Sequence, residues 1–90
     1  MAEPKVAFGQ LVATPAALAA LSQRDIARAL RRHRVGDWGE VCSEDARAND
    51  EALTHGERLL SIYHSESGTK FYVITERDRS ATTVLLPEDY

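Results

Sequence analysis

The sequence predicts an α+β fold with the element order β-α-α-α-β-β-β, in which the helices pack on one face of a three- to four-stranded antiparallel sheet. Two observations lead to this prediction. Three short runs rich in β-branched, aromatic and aliphatic residues follow one another between positions 57 and 86, with turn-forming residues between them. The segment before them carries helix-start signals and helical periodicity. A sheet with one apolar face needs a cover, and the helices are expected to provide it.

The three runs are predicted to form a β-meander. Arg58–His64 alternates two sets of side chains with the period of two that a strand requires, and Thr69–Thr75 follows it. Between them lies the polar loop Ser65–Gly68, whose glycine is free to adopt positive φ before the chain turns back. The third strand, Ala81–Leu86, is stopped by Pro87, which has no N–H to donate to a ladder.

The first elements of the chain are a weak strand and a short helix. Val6–Ala13 tolerates a β conformation but contains a glycine and two alanines, so it is expected at most as an edge strand added to the meander. Thr14 can cap a helix, and Pro15 suits the first helical position, where no N–H is missed. A helix over Pro15–Leu21 is therefore predicted.

A second helix is predicted from Ser22 to about Arg34, with Asp25 placed as in a capping box. One of its faces is apolar and includes His33, which we expect to be a core residue. The opposite face is basic, with Arg24, Arg28, Arg31 and Arg32. This basic face is either a solvated outer surface or a surface that binds phosphates or an acidic partner.

A tight loop and a polar helix come next. Gly36–Gly39 contains the single tryptophan, Trp38, which is expected between the second helix and the sheet, the alternative being an exposed binding residue. Ser43 is expected to cap a third helix, Glu44–His55, ended by Gly56 in the left-handed conformation.

Length and composition indicate one ordinary globular domain spanning residues 1–90. No apolar run approaches the roughly 20 residues of a membrane span, no signal peptide is evident, and the single cysteine, Cys42, cannot form an intrachain disulfide. A cytoplasmic location without membrane contact is therefore expected.

The charges are divided unevenly along the chain. Residues 1–35 carry six basic and two acidic groups, whereas residues 36–57 carry seven acidic groups and one basic group. Docking of the acidic third helix on the basic face of the second would explain this division. It would also cancel the positive field, so binding to DNA is not expected at physiological salt.

The sequence contains few signals for a catalytic or ligand-binding site. It contains no glycine-rich phosphate loop, no zinc-protease or serine-hydrolase motif and no paired CxxC, so no catalytic residue, metal ligand or cofactor is predicted. The best polar cluster includes Glu76, Asp78 and Arg79, in a link between two predicted strands. It is interpreted as a salt-bridged turn, with a metal or phosphate site as the alternative.

Three stretches of the sequence resemble a family of short bacterial proteins. They are Gly-Asp-Trp-Gly at 36–39, the acidic helix at 44–53, and the segment from Val73 through Tyr90. Members of that family occur on plasmids and other mobile elements and are loosely labelled as plasmid-related or restriction-associated. The resemblance implies a bacterial, mobile-element setting and carries no catalytic assignment.

The function expected from the sequence is that of a small non-catalytic accessory protein that modulates a host defence or regulatory system by binding another protein. One alternative is a nucleic-acid-binding module that uses the basic face of the second helix. Another is a small hydrolase or nuclease that uses Glu76, Asp78 and Arg79.

Overall fold

A computed structural model describes residues 3–90 and contains the predicted elements in the predicted order. The fold is α+β, with three helices and a four-stranded sheet. The elements are β1 (Gln10–Ala13), α1 (Pro15–Ala20), α2 (Gln23–Arg34), α3 (Ser43–His55), β2 (Leu59–His64), β3 (Lys70–Thr75), β4 (Ala81–Leu85) and a short 3-10 helix (Pro87–Asp89).

The sheet is mixed, and the prediction of a purely antiparallel sheet is wrong. The strand order is β1-β4-β3-β2, and the meander β2-β3-β4 is antiparallel as predicted. β1 pairs with β4 in parallel, with Leu11 opposite Thr82 and Ala13 opposite Val84. A hairpin turn forces its two strands to be antiparallel, whereas β1 is separated from the meander by three helices and is free to pair in either direction.

Side chains near the helix ends set where the helices begin and stop. Thr14 Oγ1 accepts a hydrogen bond from the N–H of Ala17 at 3.1 Å, and Ser22 Oγ accepts from the N–H of Asp25 at 3.0 Å. The third helix begins one residue earlier than predicted, because Cys42 and not Ser43 is its N-cap, and the Cys42 side chain makes no cap hydrogen bond. Gly56 ends that helix in the predicted left-handed conformation, with a φ of 68°.

The largest core cluster joins small and aliphatic residues of the helices to alternate residues of the strands. Its members are Ala17, Leu21, Ala29, Tyr63, Phe71, Val73, Val84 and Leu86. A second cluster contains Val6, Phe8, Trp38, Ala52 and Leu59. Packing of all three helices on a single face of the sheet stays a prediction.

The outer edge of β2 is covered by groups from outside the sheet. The side chain of Asn49, on α3, donates to the carbonyl of Leu60 at 2.8 Å and accepts from its N–H at 3.2 Å. Two residues further on, Ile62 donates to the carbonyl of Trp38 and accepts from the N–H of Glu40. Gly39 allows this close approach, because a Cβ there would lie 2.0 Å from the carbonyl oxygen of Ile62. The outward-facing backbone groups of β2 are thus satisfied at Leu60 and Ile62.

Within residues 3–90, no helix is both long enough and apolar enough to cross a membrane.

Candidate protein-binding surface

Within residues 3–90, no group covers the outer edge of β1 in this way. Gln10 donates its N–H to Ser80 at 2.9 Å and Thr14 donates to Val84 at 3.0 Å, so the even-numbered residues of this segment face β4. Because backbone groups alternate in direction along a strand, the N–H and C=O groups of Leu11 and Ala13 point to the other side. No hydrogen bond from residues 3–90 reaches them outside the ladder with β4. β1 is therefore an open edge.

Next to this open edge lies an apolar groove between β1 and α2, which we call the β1–α2 groove. It consists of two adjoining hollows of about 260 and 210 Å³ that share Leu11 and Leu30. The smaller hollow is lined by apolar side chains alone. Leu11 is 54% exposed and Val12 is 41% exposed, which places them among the few large apolar side chains open to solvent in the described part of the chain. Open strand edges and contiguous apolar surface are both typical of protein-binding sites.

Two arginines border the larger hollow. Arg31 and Arg34, both exposed, line it together with Phe8 and Leu11. The guanidinium carbon of Arg34 lies 4.6 Å from the centre of the Phe8 ring, a cation–π contact that positions the charge. Neither arginine forms an ion pair with an acidic residue among residues 3–90. The groove thus has an apolar floor and a positive rim.

The other arginines of α2 do not meet the acidic helix. Arg24 and Arg28 are exposed, and none of the ion pairs within the described chain joins an arginine of α2 to an acid of α3. The ion pairs that docking of the acidic third helix on the basic second helix would form are therefore absent from residues 3–90. The charges of α3 lie elsewhere because its Asn49 is bonded to the edge of β2.

Arg32 is the arginine of the predicted basic face that has an acidic partner, and that partner is in the following loop. Its guanidinium makes two hydrogen bonds to the carboxylate of Asp37, at 2.8 and 3.1 Å, and lies 4.8 Å from the centre of the Tyr63 ring. The bidentate contact raises the pKa of Arg32 and lowers the pKa of Asp37. Arg32 is thus held against the protein and is less available to a partner than Arg24 or Arg28.

Trp38 lies in the core, as predicted, and is 5% exposed. Its Nε1–H donates to Asp50 Oδ1 at 3.0 Å, so the polar group of the indole is satisfied from α3. The alternative interpretation of Trp38 as an exposed binding residue does not agree with this burial.

Asp78 and Arg79 shape the turn between β3 and β4. Asp78 Oδ1 accepts from the N–H of Ser80 at 3.0 Å, and hydrogen bonds from the side chain and backbone of Ser80 lower the pKa of Asp78. Arg79 adopts a positive φ of 61°, which is uncommon for a residue with a side chain. Its guanidinium donates to four backbone carbonyls, those of Ala52, Glu57, Glu76 and Arg77. Arg79 therefore fastens the end of α3 to this turn.

The side chain of Glu76 points away from these contacts, although its backbone carbonyl takes part in them. It borders a shallow cleft of about 380 Å³ with His55 and Arg58, and its carboxylate lies 3.8 Å from Arg58 Nε. No group of three or more histidine, cysteine or acidic side chains that could hold a metal ion occurs within residues 3–90. The structure does not bring Glu76, Asp78 and Arg79 together around one cavity.

His33 is fully buried and belongs to a hydrogen-bonded series of polar side chains. Its Nδ1 lies 2.6 Å from Ser61 Oγ, and its Nε2 lies 2.8 Å from Thr75 Oγ1. Thr75 Oγ1 lies 2.8 Å from Thr82 Oγ1, which donates to the carbonyl of Phe8 at 2.9 Å.

The carbonyl of Phe8 sets the direction of the hydrogen bonds from Thr82 back to Nε2 of His33. Because the hydroxyl of Thr82 donates its one proton to that carbonyl, the hydroxyl of Thr75 must donate to Thr82 Oγ1. Thr75 then accepts from Nε2–H of His33. Burial, and secondarily the charge of Arg79, lowers the pKa of His33 to about 4, so the ring is neutral near pH 7 and its Nδ1 accepts from Ser61.

The sequence prediction did not identify the β1–α2 groove. Leu11 and Val12 lie in the segment that was predicted as a weak edge strand, and an exposed apolar pair on an edge strand is itself a signal for binding. Arg34 was assigned only as the end of α2. What was missing from the sequence was the direction in which β1 pairs, because that pairing decides which helix lies beside its free edge.

The comparisons with known proteins give no relative. No family model matches the chain, and neither a curated protein nor a solved structure matches it.

Proposed function

We propose that this protein is a small non-catalytic accessory protein that acts by binding another protein at the β1–α2 groove. The observation that carries the proposal is the combination of an open strand edge with an apolar groove beside it, at Leu11, Val12 and Leu30. The opposite edge of the sheet is covered at Leu60 by Asn49 and at Ile62 by the loop at Trp38–Glu40. A protein whose one edge is closed and whose other edge is open and apolar is organised for a contact at that second edge.

The cellular setting is part of the same proposal. The resemblance of residues 36–39, 44–53 and 73–90 to short plasmid-related proteins supports a bacterial, cytoplasmic and mobile-element origin. In that setting the bound protein belongs to a host defence or regulatory system, such as restriction, and the accessory protein modulates it.

The test is affinity capture from the native host with matched variants. Leu11→Asp places a charge in the groove, and Leu18→Asp places the same charge on α1, where Leu18 is 61% exposed and lines neither hollow. Both variants should fold, because both leucines are more than half exposed. We expect wild type and Leu18→Asp to retain the same protein and Leu11→Asp to lose it. If all three retain the same proteins, or if wild type retains none, the proposal is wrong.

Nucleic-acid binding is the second candidate, and one observation favours it. Arg24, Arg28 and Arg31 are exposed and form no ion pair with an acidic side chain among residues 3–90. Three phosphate contacts would give a log-log salt slope of about −2.7 on duplex DNA, at about 0.9 per contact. The formal net charge of −3 and the acidic α3 oppose such binding, so we expect no micromolar affinity at physiological salt. Titration of labelled duplex and single strands at two ionic strengths tests this expectation, with Arg24→Glu plus Arg28→Glu as the control variant.

The hydrolase or nuclease alternative gains no specific observation. It would need Glu76, Asp78 and Arg79 to act on one substrate, whereas Asp78 and Arg79 are engaged by the backbone of the turn.

A further inference from the structure

We infer that the partner contributes an extended segment that pairs with β1 as a fifth strand and carries an acidic residue two positions from an apolar one. This inference rests on the proposed function and adds the conformation and chemistry of the bound segment. It follows from three features of the β1–α2 groove: its backbone groups, its two hollows and its charge.

The backbone groups make the first part of the argument. Leu11 and Ala13 direct two N–H and two C=O groups away from β4, and groups two residues apart on one strand match the hydrogen-bonding period of an added strand. A helix laid in the groove would leave these four groups without partners. An added strand forms hydrogen bonds with all four groups. These main-chain bonds contribute to affinity whatever the sequence of the bound segment.

The two hollows give the segment its side-chain pattern. Alternate side chains of an added strand point toward α2, and they are spaced about 6.6 Å apart. One of them meets the apolar hollow between Ala13 and Ile26, which suits an aliphatic side chain. Its neighbour two positions away meets the hollow bordered by Arg31 and Arg34, which suits a carboxylate. The side chains between them point to the other face of the sheet and are not specified by the groove.

Charge also decides against a second copy of this chain as the occupant. β1 has the sequence Gln-Leu-Val-Ala and offers no carboxylate to Arg31 or Arg34. Antiparallel pairing of two β1 strands would, in addition, place both α2 helices on the same face of the joined sheet. The two pairs of rim arginines would then lie near each other without an acid between them, which is unfavourable. The occupant is therefore a different protein with an acidic strand.

The test uses synthetic peptides and backbone amide exchange. The probe is an acetylated, amidated peptide, Thr-Glu-Thr-Val-Thr-Glu-Thr. Its sequence is the same in both directions, so a glutamate lies two positions from the valine, on the same face of the strand, in parallel and in antiparallel pairing alike. The control peptide has lysine in place of both glutamates. Amide exchange and chemical shifts of the isotope-labelled protein are followed up to millimolar peptide.

We expect the acidic peptide to slow exchange at the amides of Leu11 and Ala13 and to bind at least about tenfold more tightly than the lysine peptide. The variant Arg31→Glu plus Arg34→Glu should reverse that preference. Both substituted residues are exposed, so the variant should fold, and its thermal midpoint checks this.

Protection elsewhere, equal binding of the two peptides or no protection at millimolar concentration would overturn strand addition. The proposed function is tested separately by the Leu11→Asp capture. If Leu11→Asp loses its protein while the acidic peptide leaves Leu11 and Ala13 unprotected, the partner binds at the groove but not as a strand. If the peptide protects both amides while capture shows no difference between variants, the groove accepts a strand but is not the site of the cellular contact.

Discussion

The imidazole of His33 lies edge-on to the indole of Trp38, with the two ring centres 5.5 Å apart. The ring of Phe8 is also close, with its centre 6.0 Å from that of His33. Both His33 and Trp38 are buried, so a titratable ring is enclosed by aromatic surface and has only hydroxyl groups as polar neighbours at its two nitrogens. This relationship makes the same region decisive for stability and for its dependence on pH.

Removal of the indole should be costly. Trp38→Ala deletes a side chain that belongs to the core cluster with Val6, Phe8 and Leu59, and we expect it to lower the free energy of unfolding by about 3 to 5 kcal/mol. Trp38→Phe keeps most of the apolar contact and loses the hydrogen bond to Asp50, so it should cost less. Urea unfolding of both variants measures the difference. A Trp38→Ala variant as stable as wild type would contradict the assignment of Trp38 to the core.

The stability of the protein should fall as the pH is lowered from about 6.5 to 4. The pKa of His33 is about 4 in the folded protein and 6.5 as a free side chain. Between these two pH values the unfolded chain binds a proton at His33 and the folded protein does not. The neutral ring therefore contributes its full stability above pH 6.5, and about 3 kcal/mol of it is lost by pH 4. Unfolding by urea at a series of pH values measures the slope.

A substitution separates His33 from the other titrating groups. His33→Gln should abolish the slope between pH 6.5 and 4, whereas His55→Gln, at an exposed histidine at the end of α3, should retain it. Asp25 and Asp37 have pKa values lowered below 3.8, so the stability that they contribute is lost only at more acidic pH. If His33→Gln keeps the wild-type slope, another group is responsible.

Two substitutions at Arg79 should have different effects. Both Arg79→Ala and Arg79→Gly remove the guanidinium that binds four carbonyls, which we expect to cost about 1.5 to 3 kcal/mol. Glycine accepts the φ of 61° without strain, so Arg79→Gly should be more stable than Arg79→Ala by about 1 kcal/mol. Thermal or urea unfolding of the pair gives both numbers, with Arg77→Ala as an exposed control in the same turn. Equal stability of the two variants would show that the left-handed conformation is not maintained without the arginine.

Asp78 and Glu76 should have no role in metal binding. Asp78→Asn retains an oxygen that can accept from the N–H of Ser80, so the turn should persist and the thermal midpoint should stay close to that of wild type. Calorimetric titration with Mg²⁺, Mn²⁺ and Zn²⁺ is expected to show no stoichiometric site in either protein. A site in wild type that Asp78→Asn abolishes would revive the hydrolase alternative.

The sequence predicted those features that depend on neighbours along the chain. The caps at Thr14 and Ser22 and the glycine that ends α3 involve residues within four positions of each other, and all three were confirmed. The direction of β1 depends on pairing with a strand some seventy residues later, and no local signal specifies it.

The missed parts of the candidate site have the same physical origin. Arg79 was expected to pair with acids nearby, whereas it binds the carbonyl of Ala52 on another element. Arg31 was assigned to a basic surface without the apolar groove beside it, because Leu11 and Leu30 meet only once β1 and α2 are assembled. Side chains that are separated in the sequence become one site through long-range packing, which a periodicity pattern does not encode.

The side-chain amide of Asn49 makes the two hydrogen bonds to Leu60 that a neighbouring strand would make. This limits how the protein can take part in a larger β-sheet. A sheet with two free edges can pair with further molecules at both edges without limit, as in fibrils. Here Asn49 and the loop at Trp38–Glu40 cover Leu60 and Ile62 at the edge of β2, so within residues 3–90 β1 is the edge available for pairing along its length. The protein can therefore join a larger β-sheet only as its terminal unit.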